Sequence, residues 1–261
     1  MLRLTILVVG LCAEHAGKTT LTRSILRCLR EIGMRPCAFK PKAANNLWYD
    51  FDVVYESLSK GRLYGLDAKL LREESHTPLR EEVINPVHRL WNEGEQPEYI
   101  LDRIFADGKT ILILKNLTEI NRMVKGLFDL LCAKADQIIE TTDEDLTTKL
   151  LRYYERGIKN SFTEISKNHD VVVVESYSDV ALPWEKLKPD IVFGVKPWEI
   201  SIYDAEKYVM AVDILHGGEI STQRVTALLE PTKRIKILPQ PSAQVVDYMK
   251  ERARPILEEY V

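Results

Sequence analysis

The chain has 261 residues, 45% hydrophobic and 29% charged, with a formal net charge of −3. Its length suffices for a large core, and it lacks the basic excess that would favour nucleic acid or an anionic membrane. No apolar run reaches the roughly 18 residues that span a bilayer, and Cys12, Cys28, Cys37 and Cys132 form no C-x-x-C pair, which points to a reducing cytoplasm rather than a disulfide or zinc framework.

Thr5 to Val9 is an apolar run rich in β-branched residues, bounded by Gly10, and reads as a buried strand. The opening MLRLTILVVGLCA has the outline of a secretory leader. Its apolar run is minimal, however, and a phosphate-loop signature follows at once, so it reads as part of the fold. From Lys18 onward, Leu21, Ile25, Cys28, Leu29 and Ile32 recur at helical spacing, and Gly33 stands where a helix would stop. RPCAFKPK (35–42) predicts a second strand ending at Lys40-Pro41, AANNLWYD a polar turn, and Val53 the start of an apolar-periodic stretch. Residues 61–82 are charged and weakly periodic, 81–91 read as extended around Pro86, and 93–98 as a polar linker.

TILIL (110–114) predicts a strand and 119–135 a helix. Asp143 caps a further helix whose apolar face is Leu146, Leu150, Tyr154, Ile158, Phe162 and Ile165, ending near Asn168. VVVVES (171–176) and DIVFGVK (190–196) read as buried strands, the second followed by a helix to about His216 and then Gly217-Gly218. RIKILPQP (234–241) predicts a late strand and 243–259 a closing helix. This alternation predicts a three-layer α/β fold of the phosphate-loop nucleoside triphosphate hydrolase type, with a mostly parallel sheet and helices on both faces. One domain is expected over 1–261, with 92–138 an insertion that forms either a lid or an extra layer.

The turn after the first strand carries the chemistry. In GLCAEHAGKTT, Gly17, Lys18 and Thr19 supply the second half of the G-x-x-x-x-G-K-[ST] pattern, although Cys12 stands where the first glycine belongs and the nearest upstream glycine is Gly10. A strand, a turn ending in Gly-Lys-Thr and a helix form the context that motif needs. Gly17 would let the backbone approach a phosphate at the helix N-terminus, Lys18 would reach the outer phosphates and the Thr19 hydroxyl would face magnesium. The nucleotide-binding set is Gly10, Glu14, His15, Ala16, Gly17, Lys18, Thr19 and Thr20, with His15 either on phosphate or in solvent. Ligands of parallel sheets sit beyond the strands' carboxyl ends, which adds Lys40, Glu175 and Lys196. Glu175 closes a run of four valines, where a carboxylate can hold magnesium directly or through water. The five histidines show no ligand spacing, and ESYSD lacks the G-x-S-x-G elbow of a serine hydrolase.

The set resembles dethiobiotin synthetase. FKP at 39–41 is similar to that family's YKP, WYDFDVV (48–54) to its short acidic segment, EVINPVHRL (82–90) to its VNP segment, VVVVES to its VLVEG, and DIVFGVK to the strand ending in GVK. The order agrees over residues 1–91 and again over about 140–200. The resemblance implies that Lys18 and Lys40 are catalytic, that Thr19, Asp52 and Glu175 hold Mg2+, and that ATP is the cofactor. It further implies a cytoplasmic ATP-dependent ligase acting on a small amine or carboxylate, a homodimer, and no nucleic-acid or membrane partner. The chain departs from the family in one extra residue between Gly10 and Gly17, and in Ser176-Tyr177-Ser178-Asp179 where the family has Gly-Ala-Gly-Gly. The alternatives are a nucleotide-controlled regulatory or partner-binding protein and a small-molecule kinase.

Overall fold

The computed structural model describes residues 4–12, 15–92, 98–115, 124–141, 146–215 and 219–261. The chain is α/β and divides into two compact units, each discontinuous in sequence. The first comprises Met1–Pro41, Leu70–Pro78 and Ile165–Val261, the second Lys42–Lys69 and Leu79–Glu164. The stretch 92–138, expected as an insertion, lies within the second unit.

The first unit is built on strands β1 (Leu4–Gly10), β2 (Pro36–Phe39), β8 (Val171–Glu175), β9 (Ile191–Lys196), β10 (Glu199–Tyr203) and β11 (Lys233–Lys236). Their order is β11-β10-β9-β1-β8-β2. β1 runs parallel to both β8 and β9, and β2 parallel to β8. β10 turns back antiparallel on β9, and β11 on β10. The parallel strands are apolar throughout because the sheet is covered on both faces: Ile6 to Val9 and Val171 to Val174 are buried. Helix α1 (Lys18–Glu31) buries Leu21, Ile25, Leu26, Cys28 and Leu29 and packs against α8 (Val245–Leu257), where Ser24 Oγ donates to the Val246 carbonyl at 2.8 Å. On the free side of edge strand β2, the Ala38 N–H donates to Ser75 Oγ at 2.9 Å, so that edge is not left unpaired there.

The second unit holds β3 (Lys42–Asn46), β4 (Val87–Asn92), β5 (Glu98–Ala106), β6 (Lys109–Leu114) and β7 (Gln137–Glu140) in chain order across one sheet. The outer pairs are parallel and the inner two antiparallel. β5 and β6 alternate between two cores. Leu101, Leu112 and Leu114 pack with Val54, Leu58, Phe128 and Leu131, from α2 (Phe51–Ser59) and α5 (Lys125–Lys134). Ile104, Ala106, Ile111 and Ile113 pack with Leu150 of α6 (Leu146–Asn168). Gly157 of α6 lies so close to β5 that a Cβ there would stand 2.9 Å from the Phe105 carbonyl oxygen.

Several expected elements differ. AANNLWYD is not all turn, since Lys42–Asn46 pairs with β4 as a strand and only the residues beyond it turn. Residues 81–84 are not extended but a single turn, α4 (Glu81–Ile84), before Pro86 releases the chain into β4. The weakly periodic 61–82 stretch contains α3 (Leu66–Ser75). Between the strand at 190–196 and the next helix, α7 (Ala205–Ile214), lies β10, reached through Trp198 at φ 75°. Instead of one mostly parallel sheet there are two mixed ones. The proposed cap Asp143 and Gly217-Gly218 lie outside the described residues.

Candidate functional site

β1, β2, β8 and β9 are mutually parallel, so Gly10, Phe39, Glu175 and Lys196 all finish at one edge of the sheet. The register sets Val8 beside Glu175 and Phe39 beside Val174, which places Lys40 one residue further along beside the end of β8. Thus three residues read separately from the sequence, Thr19, Lys40 and Glu175, come together. Thr19 Oγ1 donates to Glu175 Oε1 at 2.9 Å, and Lys40 Nζ donates to the same oxygen at 2.8 Å. The Glu175 side chain is fully buried and that of Lys40 is 6% exposed. The two opposite charges are buried against each other, so removing either would leave its partner uncompensated. The second oxygen, Glu175 Oε2, is buried without a hydrogen-bond partner.

Gly17 stands at the N-terminus of α1 at φ 92°, a left-handed conformation that favours glycine, and no side chain caps the helix there. Lys18 bends back so that its Nζ donates to the Ser178 carbonyl at 2.6 Å. A Cβ on Gly10 would stand 3.1 Å from that ammonium, so Gly10 gives the lysine its passage along the end of β1. The segment after Glu175 is held to its surroundings by its backbone. The Ser176 N–H donates to the Val8 carbonyl at 2.9 Å, and Thr222 Oγ1 donates to the Asp179 carbonyl at 2.9 Å. The Ser178 carbonyl was invisible to sequence reasoning, because a backbone acceptor carries no residue signature.

Of the remaining expected residues, Ala16 is buried, Thr20 is half-buried in the first turn of α1, and His15 is exposed at φ 49°. Glu14 lies outside the described residues. Asp52 is exposed in the first turn of α2 and belongs to the second unit. Lys196 is 45% exposed, its Nζ lying 3.6 Å from Glu199. It borders a cavity of about 390 Å3 in the first unit, also lined by Leu11, Tyr203, Gln223, Thr226 and Arg234.

Among the described residues no cluster of three or more histidine, cysteine or acidic side chains is poised to hold a metal. The oxygens of Thr19 and Glu175 are nevertheless the hard donors that Mg2+ takes, and the orphaned Glu175 Oε2 is where such a donor set would be completed. Within β2, burial pushes the Cys37 thiol up to about 12, so this cysteine is a packing residue rather than a reactive one. No known protein-family model matches the chain, and no curated protein is significantly similar to it.

Proposed function

We propose that the chain is a phosphate-loop ATPase of the ligase type, which uses Mg-ATP to phosphorylate a small carboxylate or carbamate for attack by an amine. The observation that carries this reading is the convergence of Thr19 Oγ1 and Lys40 Nζ on one oxygen of the buried Glu175, next to the Gly17-Lys18 turn. Lys18 would exchange the Ser178 carbonyl for the outer phosphates, and the free N–H groups of the first turn of α1 would face them. Magnesium, held by Thr19 and Glu175, would neutralise phosphate charge during transfer. Lys40, held in place by Glu175, would lie beside the transferred phosphoryl group and stabilise it electrostatically. The cavity bordered by Leu11 and Lys196 offers room for the nucleotide base. The cytoplasmic location and homodimer implied by the resemblance belong to the same proposal.

Calorimetric titration with Mg-ATP and Mg-GTP, on wild type and on Lys18→Ala, tests the site. Magnesium-dependent ATP binding lost in Lys18→Ala is the expected result, and wild type that binds neither nucleotide would remove the proposal. ADP release stimulated by an amine with bicarbonate, and abolished in Lys40→Ala, would then mark the ligase. A regulatory protein is the second reading, favoured by the contact of Lys18 with the Ser178 carbonyl. It predicts slow hydrolysis indifferent to amines and a partner whose capture from solution depends on nucleotide.

A further inference from the structure

Strand β5 places Arg103 inside the second unit, where its side chain is wholly buried. Nε donates to the Leu63 carbonyl at 3.0 Å, and Nη1 to the carbonyls of Asn85 and Pro86 at 2.8 and 3.0 Å. Nη2 has no partner. Among the described residues no carboxylate lies within ion-pairing distance of this guanidinium. Burial lowers its pKa to about 10, so it still carries its charge at neutral pH.

Arg103 lines a cavity of about 370 Å3, within the size range of small-molecule sites. Around it stand Lys60, Arg62, Arg80 and Lys134, with Glu82 as the one acid among the described lining residues. Glu82 is already engaged, accepting from Arg62 Nε at 2.6 Å, and Lys60 is engaged by Glu56 at 2.8 Å. Among the described residues, three cations therefore face the space without a carboxylate in ion-pairing distance: Arg103, buried and acted on by Glu82 and Asp102 only from further away, Arg80, exposed, and Lys134, whose Nζ donates to the Lys60 carbonyl at 2.9 Å. Lys134 is held there by a close fit. Gly61 has φ 64°, and a Cβ on it would stand 2.5 Å from Lys134 Cδ, so only glycine lets the lysine stem lie across that turn.

We propose that this cavity is a binding site for a compact diphosphate anion, separate from the sheet-edge site of the first unit. Two phosphate groups carry roughly three to four negative charges at neutral pH, matching the three cations that lack a carboxylate. Guanidinium groups suit phosphate because their planar donors match its oxygens in pairs; Arg80 presents one to the space, and the buried Arg103 adds positive charge beneath it.

The test is calorimetric titration of the full chain with sodium pyrophosphate, in a Lys18→Ala background so that the phosphate loop does not contribute. Saturable binding is expected, weakened about tenfold by Lys134→Ala and by more than that in Arg80→Glu, as for loss of a charge-assisted contact. Both substitutions alter exposed side chains, so the fold is retained. Citrate, an anion of similar charge built from carboxylates, is expected to bind at least tenfold more weakly. Absence of binding, or affinity unchanged in both variants, would overturn the site. Citrate binding as tightly as pyrophosphate would overturn its assignment to phosphate.

Discussion

In the first unit the buried cation Lys40 meets the buried anion Glu175 at 2.8 Å, and the interior there is electrically balanced by two side chains. In the second unit Arg103 is just as deeply buried, but its guanidinium rests on three backbone carbonyls and keeps its charge. Its neighbour on β5, Asp102, points the other way and is answered by Arg89 at 2.9 Å, with burial raising the carboxyl pKa against the opposing hydrogen bond from Arg89. A balanced pair makes one local unit that loses most when either member is removed. A charge resting on dipoles loses less when removed, and leaves a field that an anion can use.

This contrast is sharpest in stability. Glu175→Ala leaves Lys40 buried without a counter-charge and is expected to cost about 3–5 kcal/mol, read from urea unfolding; Glu175→Gln, which keeps an acceptor for Lys40 and Thr19, is expected to cost less. Arg103→Met strands three carbonyls but removes a desolvated charge, so the expected loss is smaller, about 2 kcal/mol. If Arg103→Met proved the more damaging of the two, the comparison would be reversed. The smallest effect is expected at Glu74 of α3, where burial would raise the carboxyl pKa but hydrogen bonds from Arg27 and Arg30 outweigh it and hold it below 4.5. With its folded value below its unfolded one, Glu74 stabilises the protein above about pH 4.5. That contribution disappears as pH falls through the folded value. Glu74→Gln is therefore expected to flatten the acid side of the stability profile, measured as unfolding midpoints from pH 3 to 7 (about half a unit apart).

How much of this was legible in the sequence follows the same division. Where strands are buried on both faces, as in β1 and β8, an unbroken run of Val, Ile and Leu announces them. Their ends then locate Lys40 and Glu175 without further help. The loop glycine Gly17 and the helix after it were equally plain. β3 was hidden because AANN has no β-branched residue, and its pairing with β4 overrides the local preference. β5 was hidden because Asp102 and Arg103 interrupt EYILDRIFA, and their burial depends on partners distant in sequence. The Asp107-Gly108 pair, both at positive φ between β5 and β6, was the available signal for that hairpin. β10 escaped because its turn uses Trp198 rather than glycine at positive φ. Nothing in the composition marked Arg103 as buried, and so the second cavity could not be read from sequence.

The sheet order also fixes a timetable for synthesis. Among the described residues β1 pairs only with β8 and β9, and β2 only with β8, so neither has one of these partners until the chain has passed residue 171. At about 5–20 residues per second, the first strand waits on the order of ten seconds or more after it is made. During that interval its apolar residues are uncovered, while the second unit, complete at Glu164, already has all its strands. The Gly17-Lys18 turn is thus among the first segments made and among the last to acquire its shape, because β8 and β9, the strands on either side of β1, arrive from the far end of the chain.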